Sequence, residues 1–113
     1  MPLTHQALLV LSSAPNEEVA EQLAHLLVEQ RLAACVNIMP AMRSIYRWED
    51  KLEEAREVAI QIKTVARHYS QLEAAIKAVH PYAVPEIIAI SIVGGLPEYL
   101  DWVRQETNKE SNV

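Results

Sequence analysis

The chain has 113 residues, half of them hydrophobic, and a formal net charge of −5. This length predicts one domain with a single core, and the acidic balance argues against nucleic acid as a partner because phosphate binding needs a concentrated basic surface. Cys35 is the only cysteine, so no internal disulfide can form, and the N-terminal segment lacks the basic flank and apolar run of a signal peptide or membrane span. We therefore expect a cytoplasmic protein that does not act at a membrane.

The first predicted elements are a strand and a helix. Residues 6–13, QALLVLSS, form an apolar segment without alternation, which is typical of a strand buried on both faces. Asn16 is a candidate N-cap, and Glu17 and Glu18 follow in the first turn, where the helix dipole favours negative charge. Because apolar residues then recur at helical spacing, we predict a helix over 16–31.

Residues 33–64 predict one long β-hairpin. The second arm alternates between polar side chains and the apolar residues Val58, Ile60 and Ile62, and the even positions of the first arm are largely apolar. The arms meet at 49–51, where the chain must turn. A first arm over 33–48 spans about 50 Å, whereas a domain of this length has a radius of gyration of about 13 Å. The hairpin is therefore expected to extend beyond its own domain.

The predicted overhang carries Ile45, Tyr46 and Trp48. Large exposed apolar side chains and unpaired strand edges promote aggregation unless a neighbouring chain covers them. We therefore predict that these three residues lie in an interface between subunits.

The second half of the chain predicts a helix, a strand and a last helix. Helical periodicity over 66–79, with Thr64 as a possible cap, ends at His80-Pro81. The prolines of HPYAVPE favour an ordered, extended loop. Residues 86–93 then form an apolar strand, and Pro97 suits the first turn of the final helix.

This order, βαββαβ followed by a C-terminal helix, predicts an α+β domain with the ferredoxin-like split βαβ arrangement, in which helices cover one face of an antiparallel sheet. We expect the single domain to occupy 1–113, with a frayed polar tail over 106–113. Because the first and last strands are apolar on both sides, the other sheet face also needs cover, and another copy of the chain is the simplest candidate.

Five short segments, ACVNIMP, SIYRW, IKT, HPYAVPEII and YLDW, resemble the CutA family of divalent-cation-tolerance proteins. They occur in family order between about Leu9 and Trp102. The resemblance implies a cytoplasmic homotrimer of ferredoxin-like subunits in which strands of neighbouring subunits extend one another. It also implies binding of divalent ions, particularly Cu2+, and a role in metal tolerance.

The chain departs from the family pattern at several positions. Asp50 stands in the hairpin turn where the family usually has Gly, and left-handed backbone geometry at a residue other than Gly costs about 1 to 2 kcal/mol. Ser12, Ala75 and Val79 stand where some members have two Cys and a His. A copper site built on those family ligands therefore does not transfer to this chain.

His80 is the best single candidate for a metal ligand, because neutral imidazole suits copper and zinc and prolines hold its loop. The alternative is a histidine at a helix end that bonds backbone carbonyls or packs at the interface. Cys35, Met39 and Met42 offer soft sulfur to Cu(I), but Met42 has the opposite parity on the strand, so we expect no convergence. Buried core sulfur is the alternative for these residues.

Trp48, Lys63, Tyr82 and Glu86, with Tyr46 nearby, form a candidate ligand pocket. Lys63 ends one strand and Glu86 begins another, so the topology can bring a cation, a carboxylate and an aromatic wall together, within one subunit or across a subunit boundary. The alternative is a buried Lys63–Glu86 salt bridge with aromatic interface packing. No nucleophile–base pair or phosphate loop accompanies these residues, so we predict that the protein is not an enzyme.

Three functions follow from these observations. The leading one is a cytoplasmic trimer that binds divalent metal ions, copper in particular. The second is a small-molecule sensor or signalling trimer of the PII type, with ligand clefts between subunits. The third is a stable trimeric scaffold.

Overall fold

The structure is a computed structural model that describes residues 5–108. It confirms the predicted α+β fold: helices accompany one sheet of four antiparallel strands in the order β2-β3-β1-β4. Within 5–108 no helix is both long and apolar enough to cross a membrane. The elements are β1 (Ala7–Ala14), α1 (Glu17–Glu29), β2 (Cys35–Trp48), β3 (Lys51–Val65), a short 3₁₀ turn (Ala66–His68), α2 (Tyr69–Val79), β4 (Ile87–Ser91) and α3 (Pro97–Asn108).

Both ends of α1 are closed by hydrogen bonds. Asn16 is the N-cap, as predicted, and its Oδ1 accepts from the backbone N–H of Val19 at 2.9 Å. At the other end, Arg31 adopts a φ of 63°, and the N–H of Leu32 donates to the carbonyl of Leu27 at 3.0 Å. This is a Schellman motif with Arg in the position that usually holds Gly.

The core lies between the sheet and α1 and α2. Its fully buried side chains come from the sheet and from both helices: Val10, Leu23, Leu27, Ile60, Ile62, Leu72 and Ile76. The opposite sheet face has no such cover over β4, where Ile88 and Ile90 are 49% and 47% exposed. We call this surface the open face.

The helix α3 covers one end of the open face. Val103 is fully buried in a second small cluster with Ala34 and Val65. Val65 lies on the same side of β3 as Lys63, because side chains alternate along a strand. The sheet is therefore covered by α1 and α2 on one face and only partly by α3 on the other.

The hairpin of β2 and β3 contains an irregularity that the sequence pattern did not reveal. Ile38 pairs with Ile60, but Ala41 pairs with Val58, so Met39 and Pro40 together face one residue of β3. This β-bulge changes the parity of β2. The even positions of the first arm therefore do not share a face: Val36 and Ile38 face the helices, whereas Met42, Tyr46 and Trp48 lie on the side of the open face.

The predicted turn lies at Glu49 and Asp50, with φ values of 52° and 65°. Two consecutive residues with positive φ in a two-residue hairpin loop indicate a type I′ turn. Beyond the bulge the hairpin leaves the body of the domain, and the longest dimension of the structure, hairpin included, is 45 Å. Ile45 is 62% exposed there, and Tyr46 and Trp48 are also exposed.

Three predicted details were wrong. Thr64 is not a helix cap: it lies buried in β3, and its Oγ1 donates to the carbonyl of Leu32 at 2.6 Å. The last strand is shorter than 86–93, because it spans only Ile87–Ser91. The predicted frayed tail begins too early, because 106–108 continue α3, Thr107 is 1% exposed, and Glu106 pairs with Arg31 at 2.8 Å. Residues 109–113 lie outside the described residues.

Candidate functional site

A hydrogen-bonded cluster lies where the hairpin leaves the domain body, and we call it the Glu57 cluster. It consists of Ser13, Glu57, His80 and Tyr82, from β1, β3 and the loop after α2. The Tyr82 hydroxyl donates to Glu57 Oε2 at 2.7 Å, and Ser13 Oγ approaches the same oxygen at 3.5 Å. Glu57 is 9% exposed, so this carboxylate is removed from most solvent. Its hydrogen bonds tie the proline-rich loop to the base of the hairpin.

His80 is buried at the end of α2, and both of its ring nitrogens are engaged. Nδ1 accepts from the backbone N–H of Tyr82 at 3.1 Å, so the ring proton must be on Nε2. Nε2 then donates to the carbonyl of Ser13 at 2.6 Å. The ring also packs on Tyr82 with a centroid separation of 4.7 Å. This geometry matches a helix-end histidine that bonds a backbone carbonyl, and it leaves no ring nitrogen open to a metal ion.

The environment of Tyr82 keeps its hydroxyl protonated. Burial, followed by the hydrogen bond to Glu57, raises the pKa of Tyr82 from 10.0 to about 12. A carboxylate acceptor strengthens the hydrogen bond and disfavours the phenolate. Tyr82 therefore remains a hydrogen-bond donor through the neutral and mildly alkaline range.

Lys63 lies in a different place, beside α3 at the covered end of the open face. Its Nζ donates to Asn37 Oδ1, and Cys35 Sγ approaches the same oxygen at 3.7 Å. The Tyr99 hydroxyl is also near: burial, followed by the interaction with Cys35, raises the pKa of Tyr99. The lysine, thiol, amide and phenol of this group, which we call the Lys63 group, are polar atoms facing one end of the open sheet.

The four residues of the predicted pocket do not meet within one chain. Lys63 pairs with Leu9, and Ile87, the neighbour of Glu86, pairs with Ser12. Because β1 lies between β3 and β4, this offset corresponds to about 10 Å along the strands and about 10 Å across them. The alternative Lys63–Glu86 salt bridge is likewise absent within 5–108.

Trp48 and Tyr82 are also separated from Lys63. Trp48 pairs with Lys51 at the tip of the hairpin, about 40 Å from Lys63 along β3. Tyr82 binds Glu57 instead. Only a neighbouring subunit can bring an aromatic wall from the hairpin to the Lys63 group.

The three sulfur atoms are spread along β2. The bulge places Met42 on the same sheet face as Cys35, so the parity argument against convergence was wrong. Their seven-residue separation still corresponds to about 20 Å. Met39 lies in the bulge and is exposed, and Cys35 is half-buried. The alternative that Cys35 and Met39 are buried core residues is therefore wrong for both.

The donor atoms present do not fit a metal ion within one subunit. Among residues 5–108, no three His, Cys, Asp or Glu side chains are grouped closely enough to share an ion. At the family ligand positions, Ser12 offers only a buried neutral hydroxyl that has no hydrogen-bond partner in the described part of the chain, and Val79 is an exposed aliphatic side chain. A divalent ion held by three protein side chains therefore has no site in a single described chain.

Ser13, Asn37 and Glu57 are the residues that the sequence analysis missed. Glu57 was assigned to the polar side of β3, and Tyr82 lies 25 residues later, so no local pattern connects them. Asn37 had one available signal: it lies two residues from Cys35 on the same side of the strand. Its contact with Lys63 depends on the register between β2 and β3, which periodicity alone does not give.

Comparison with known proteins agrees with this architecture. The family model "CutA1 divalent ion tolerance protein" matches residues 8–106. The "Divalent-cation tolerance protein CutA" of Thermus thermophilus is 50% identical over 98 residues, which cover 87% of this chain and 95% of that protein. A solved structure of the divalent cation tolerance protein from Thermus thermophilus has a TM-score of 0.87 at 48% identity and covers 88% of this chain and 97% of its own.

A mammalian relative is longer than this chain. "Protein CutA" of Mus musculus is 47% identical over 100 residues, which cover 88% of this chain but 56% of the mouse protein. The shared part is thus the domain described above. Both the sequence match and the fold lead to one conclusion: this chain belongs to the CutA1 divalent ion tolerance protein family.

Proposed function

We propose that this protein is a cytoplasmic, non-enzymatic homotrimer that binds divalent metal ions weakly, copper among them, and acts in the tolerance of such ions. The observation that carries the proposal is the family match over residues 8–106. The absence of a three-residue metal group within 5–108 argues against a high-affinity site inside one subunit. Weak binding, or binding completed by another subunit, is consistent with both observations.

Self-association is supported by two surfaces of the chain. The open face exposes Ile88 and Ile90, and the overhanging hairpin exposes Ile45, Tyr46 and Trp48. Exposed apolar surface of this kind marks an interaction site in a soluble protein. We propose that other copies of the chain cover both surfaces in the trimer.

We propose His80 as a ligand of the metal ion, on the condition that its hydrogen bond with the N–H of Tyr82 is broken. Its only lone pair in the plane of the ring is on Nδ1, which accepts from the N–H of Tyr82. An ion can bind there only if that amide is released, which explains why we expect weak binding. Once bound, a divalent ion would supply a strong local positive charge within the Glu57 cluster.

Calorimetric titration with Cu(II) at neutral pH tests this proposal. We expect a stoichiometric heat that is reduced in His80→Ala and retained in His25→Ala, which removes an exposed imidazole on α1. Thermal unfolding of each variant establishes that it is folded. No stoichiometric heat in the wild type would contradict metal binding, and an unchanged affinity in His80→Ala would contradict the ligand.

The Lys63 group supports a second candidate function, small-molecule sensing between subunits. Lys63, Asn37 and Tyr99 present a cation, an amide and a phenol beside the open face. A complete pocket also needs the hairpin of a neighbouring subunit, which would bring Trp48 to these residues. A thermal-shift screen of anionic metabolites tests it. A stabilising ligand should lose its effect in Lys63→Ala and keep it in Lys77→Ala, an exposed lysine on α2; a screen without any ligand would contradict the sensor.

A further inference from the structure

A groove of about 550 Å³ runs along the outer surface of α1, with the end of α2 on one side of it, away from the open face. Leu26 of α1 and Val79 at the end of α2 supply apolar surface to it, and Val79 is 44% exposed. Glu18, Glu21 and Glu29 line the same groove, together with His25. The groove therefore combines an apolar centre with carboxylates at both ends.

Among residues 5–108, no Lys or Arg side chain pairs with the carboxylates of this groove. The helix α1 contains Glu17, Glu18, Glu21 and Glu29 but no Lys or Arg. None of the ion pairs between residues 5 and 108 involves Glu18 or Glu21, and Glu29 only approaches the exposed His25 Nδ1, at 3.8 Å. A cationic partner can therefore gain attraction here without first breaking an internal ion pair.

The carboxylates of the groove are too far apart to bind a single metal ion, and their spacing favours a larger partner. Glu18 and Glu29 are about 16 Å apart along the helix axis, whereas an ion needs its oxygen ligands within about 2 to 2.6 Å. No three metal-ligating side chains within 5–108 meet that requirement. Charges distributed in this way suit several cationic groups on one extended surface.

We propose that the α1–α2 groove docks a basic segment of a partner protein, with one apolar residue seated on Leu26 and Val79. Glu21 and Glu29 are about 12 Å apart, or about two helical turns, with Leu26 between them. A helical partner would match this pattern with basic residues two turns apart and an apolar residue midway. The groove lies on the helix side of the sheet, so it does not compete with the surfaces proposed for self-association.

The docking proposal does not depend on metal binding. If the protein is a trimer, three grooves face outward and a partner with repeated basic segments gains avidity. If the protein is a monomer, one groove still binds one segment. The two proposals therefore stand or fall separately.

Fluorescence anisotropy with a designed probe tests the inference. The probe is a labelled amphipathic helical peptide with arginine pairs two turns apart and one leucine between them, and its counterpart has glutamates in place of the arginines. The protein variants are Glu18→Gln/Glu21→Gln in the groove and Glu17→Gln/Glu98→Gln outside it, which remove equal charge from exposed helical positions. Val79→Ser and Val28→Ser form a second matched pair, because both valines are exposed but only Val79 lines the groove.

We expect saturable binding of the arginine probe, no binding of its counterpart, and a loss of about threefold in affinity for each groove carboxylate removed. Val79→Ser should weaken binding, whereas the Glu17/Glu98 and Val28 variants should retain it. Equal losses in the groove and control variants would overturn the proposal, since they would indicate only the general acidic field. Absence of saturable binding of the arginine probe would also overturn it.

Discussion

The Glu57 carboxylate joins parts of the chain that are distant in sequence. Tyr82 and Ser13 both direct hydroxyl groups to Oε2, and His80 connects the same loop to β1 through the carbonyl of Ser13. A buried carboxylate without such donors would be strongly unfavourable. These hydrogen bonds therefore allow a charged group to lie at the base of the hairpin and hold the proline-rich loop there.

Tyr82→Phe should destabilise the protein by about 1 to 2 kcal/mol at neutral pH, because it removes a donor to a carboxylate. It should also reduce alkaline destabilisation. Since the pKa of Tyr82 is raised from 10.0 to about 12 in the folded state, its stabilising contribution is complete below pH 10.0 and is lost as pH rises through about 12. Urea unfolding at several alkaline pH values measures both effects.

The control for this prediction is Tyr69→Phe. Tyr69 donates only weakly, to Glu73 Oε2 at 3.4 Å and the carbonyl of Ile87 at 3.5 Å. We expect a smaller loss of stability at neutral pH in this variant. A wild-type pH dependence that persists unchanged in Tyr82→Phe would show that another group causes the alkaline transition.

Ser12→Ala should stabilise the protein by about 1 kcal/mol. Ser12 is 4% exposed, and its Oγ is the one buried side-chain polar atom within 5–108 that has no hydrogen-bond partner. Removing it relieves the desolvation penalty of an unpaired hydroxyl and leaves only a small change in volume. The urea midpoint should rise, whereas Ser13→Ala, which removes a donor near Glu57, should not raise it; a fall in Ser12→Ala would contradict the account.

At the scale of elements, the hairpin combines regular pairing with two local departures. The bulge at Met39 and Pro40 changes the face of every later residue in β2, and the tip places Glu49 and Asp50 in left-handed backbone geometry. Asn and Gly are the residues that suit a type I′ turn, because they accept positive φ at low cost. The turn is therefore held by strand pairing on both sides rather than by its own residue preferences.

Asp50→Gly and Glu49→Asn should each stabilise the hairpin, by about 1 kcal/mol for the glycine substitution, because they relieve left-handed strain. The midpoint of thermal unfolding measures the effect. Lys51→Gly is the matched control: Lys51 begins β3 with ordinary extended geometry, so glycine there should destabilise the strand. Destabilisation by Asp50→Gly would mean that the Asp50 side chain contributes more than its backbone strain costs.

The hairpin also shows what periodicity can and cannot predict. Val58, Ile60 and Ile62 alternate without interruption, and the structure places all three on one face of β3 as predicted, where they are buried in the core. The bulge has no comparable signal, because the even positions of β2 are largely apolar both before and after Pro40, so the alternation continues without a visible break. Asn16 was predicted as an N-cap because capping is local, whereas the Glu57–Tyr82 contact and the offset between Lys63 and Glu86 depend on strand register.

At the scale of the whole molecule, the sheet has one face in a complete core and one face that is only partly covered. Ile88 and Ile90 lie open on β4, and Leu52 at the hairpin tip is 73% exposed. The cost of leaving these groups in water would fall if subunits packed together, by about 25 cal/mol for each Å² of apolar area removed from solvent. The hairpin also exposes the larger side chains of Tyr46 and Trp48. Assembly should therefore depend strongly on these two aromatic residues.

Light scattering should report a trimer for the wild type at micromolar concentration and a smaller species for Trp48→Glu, because a charge in an apolar interface must be desolvated without a partner. Val28→Glu is the control, since Val28 is similarly exposed but lies on α1, away from both proposed contact surfaces. This variant should remain trimeric. A monomeric wild type would contradict the assembly, and a trimeric Trp48→Glu would exclude Trp48 from its essential contacts.

The bulge has a further consequence for how this chain can vary. The extra residue reverses the alternation of side chains along β2, so Tyr46 and Trp48 lie on the opposite side of the sheet from Val36 and Ile38. Deleting one residue there would leave an unbroken strand but turn both aromatic rings toward the wrong side. The length of β2 between Ile38 and Ala41 is thus under a stricter constraint than its residue types, and a single-residue insertion or deletion would be more damaging there than most substitutions.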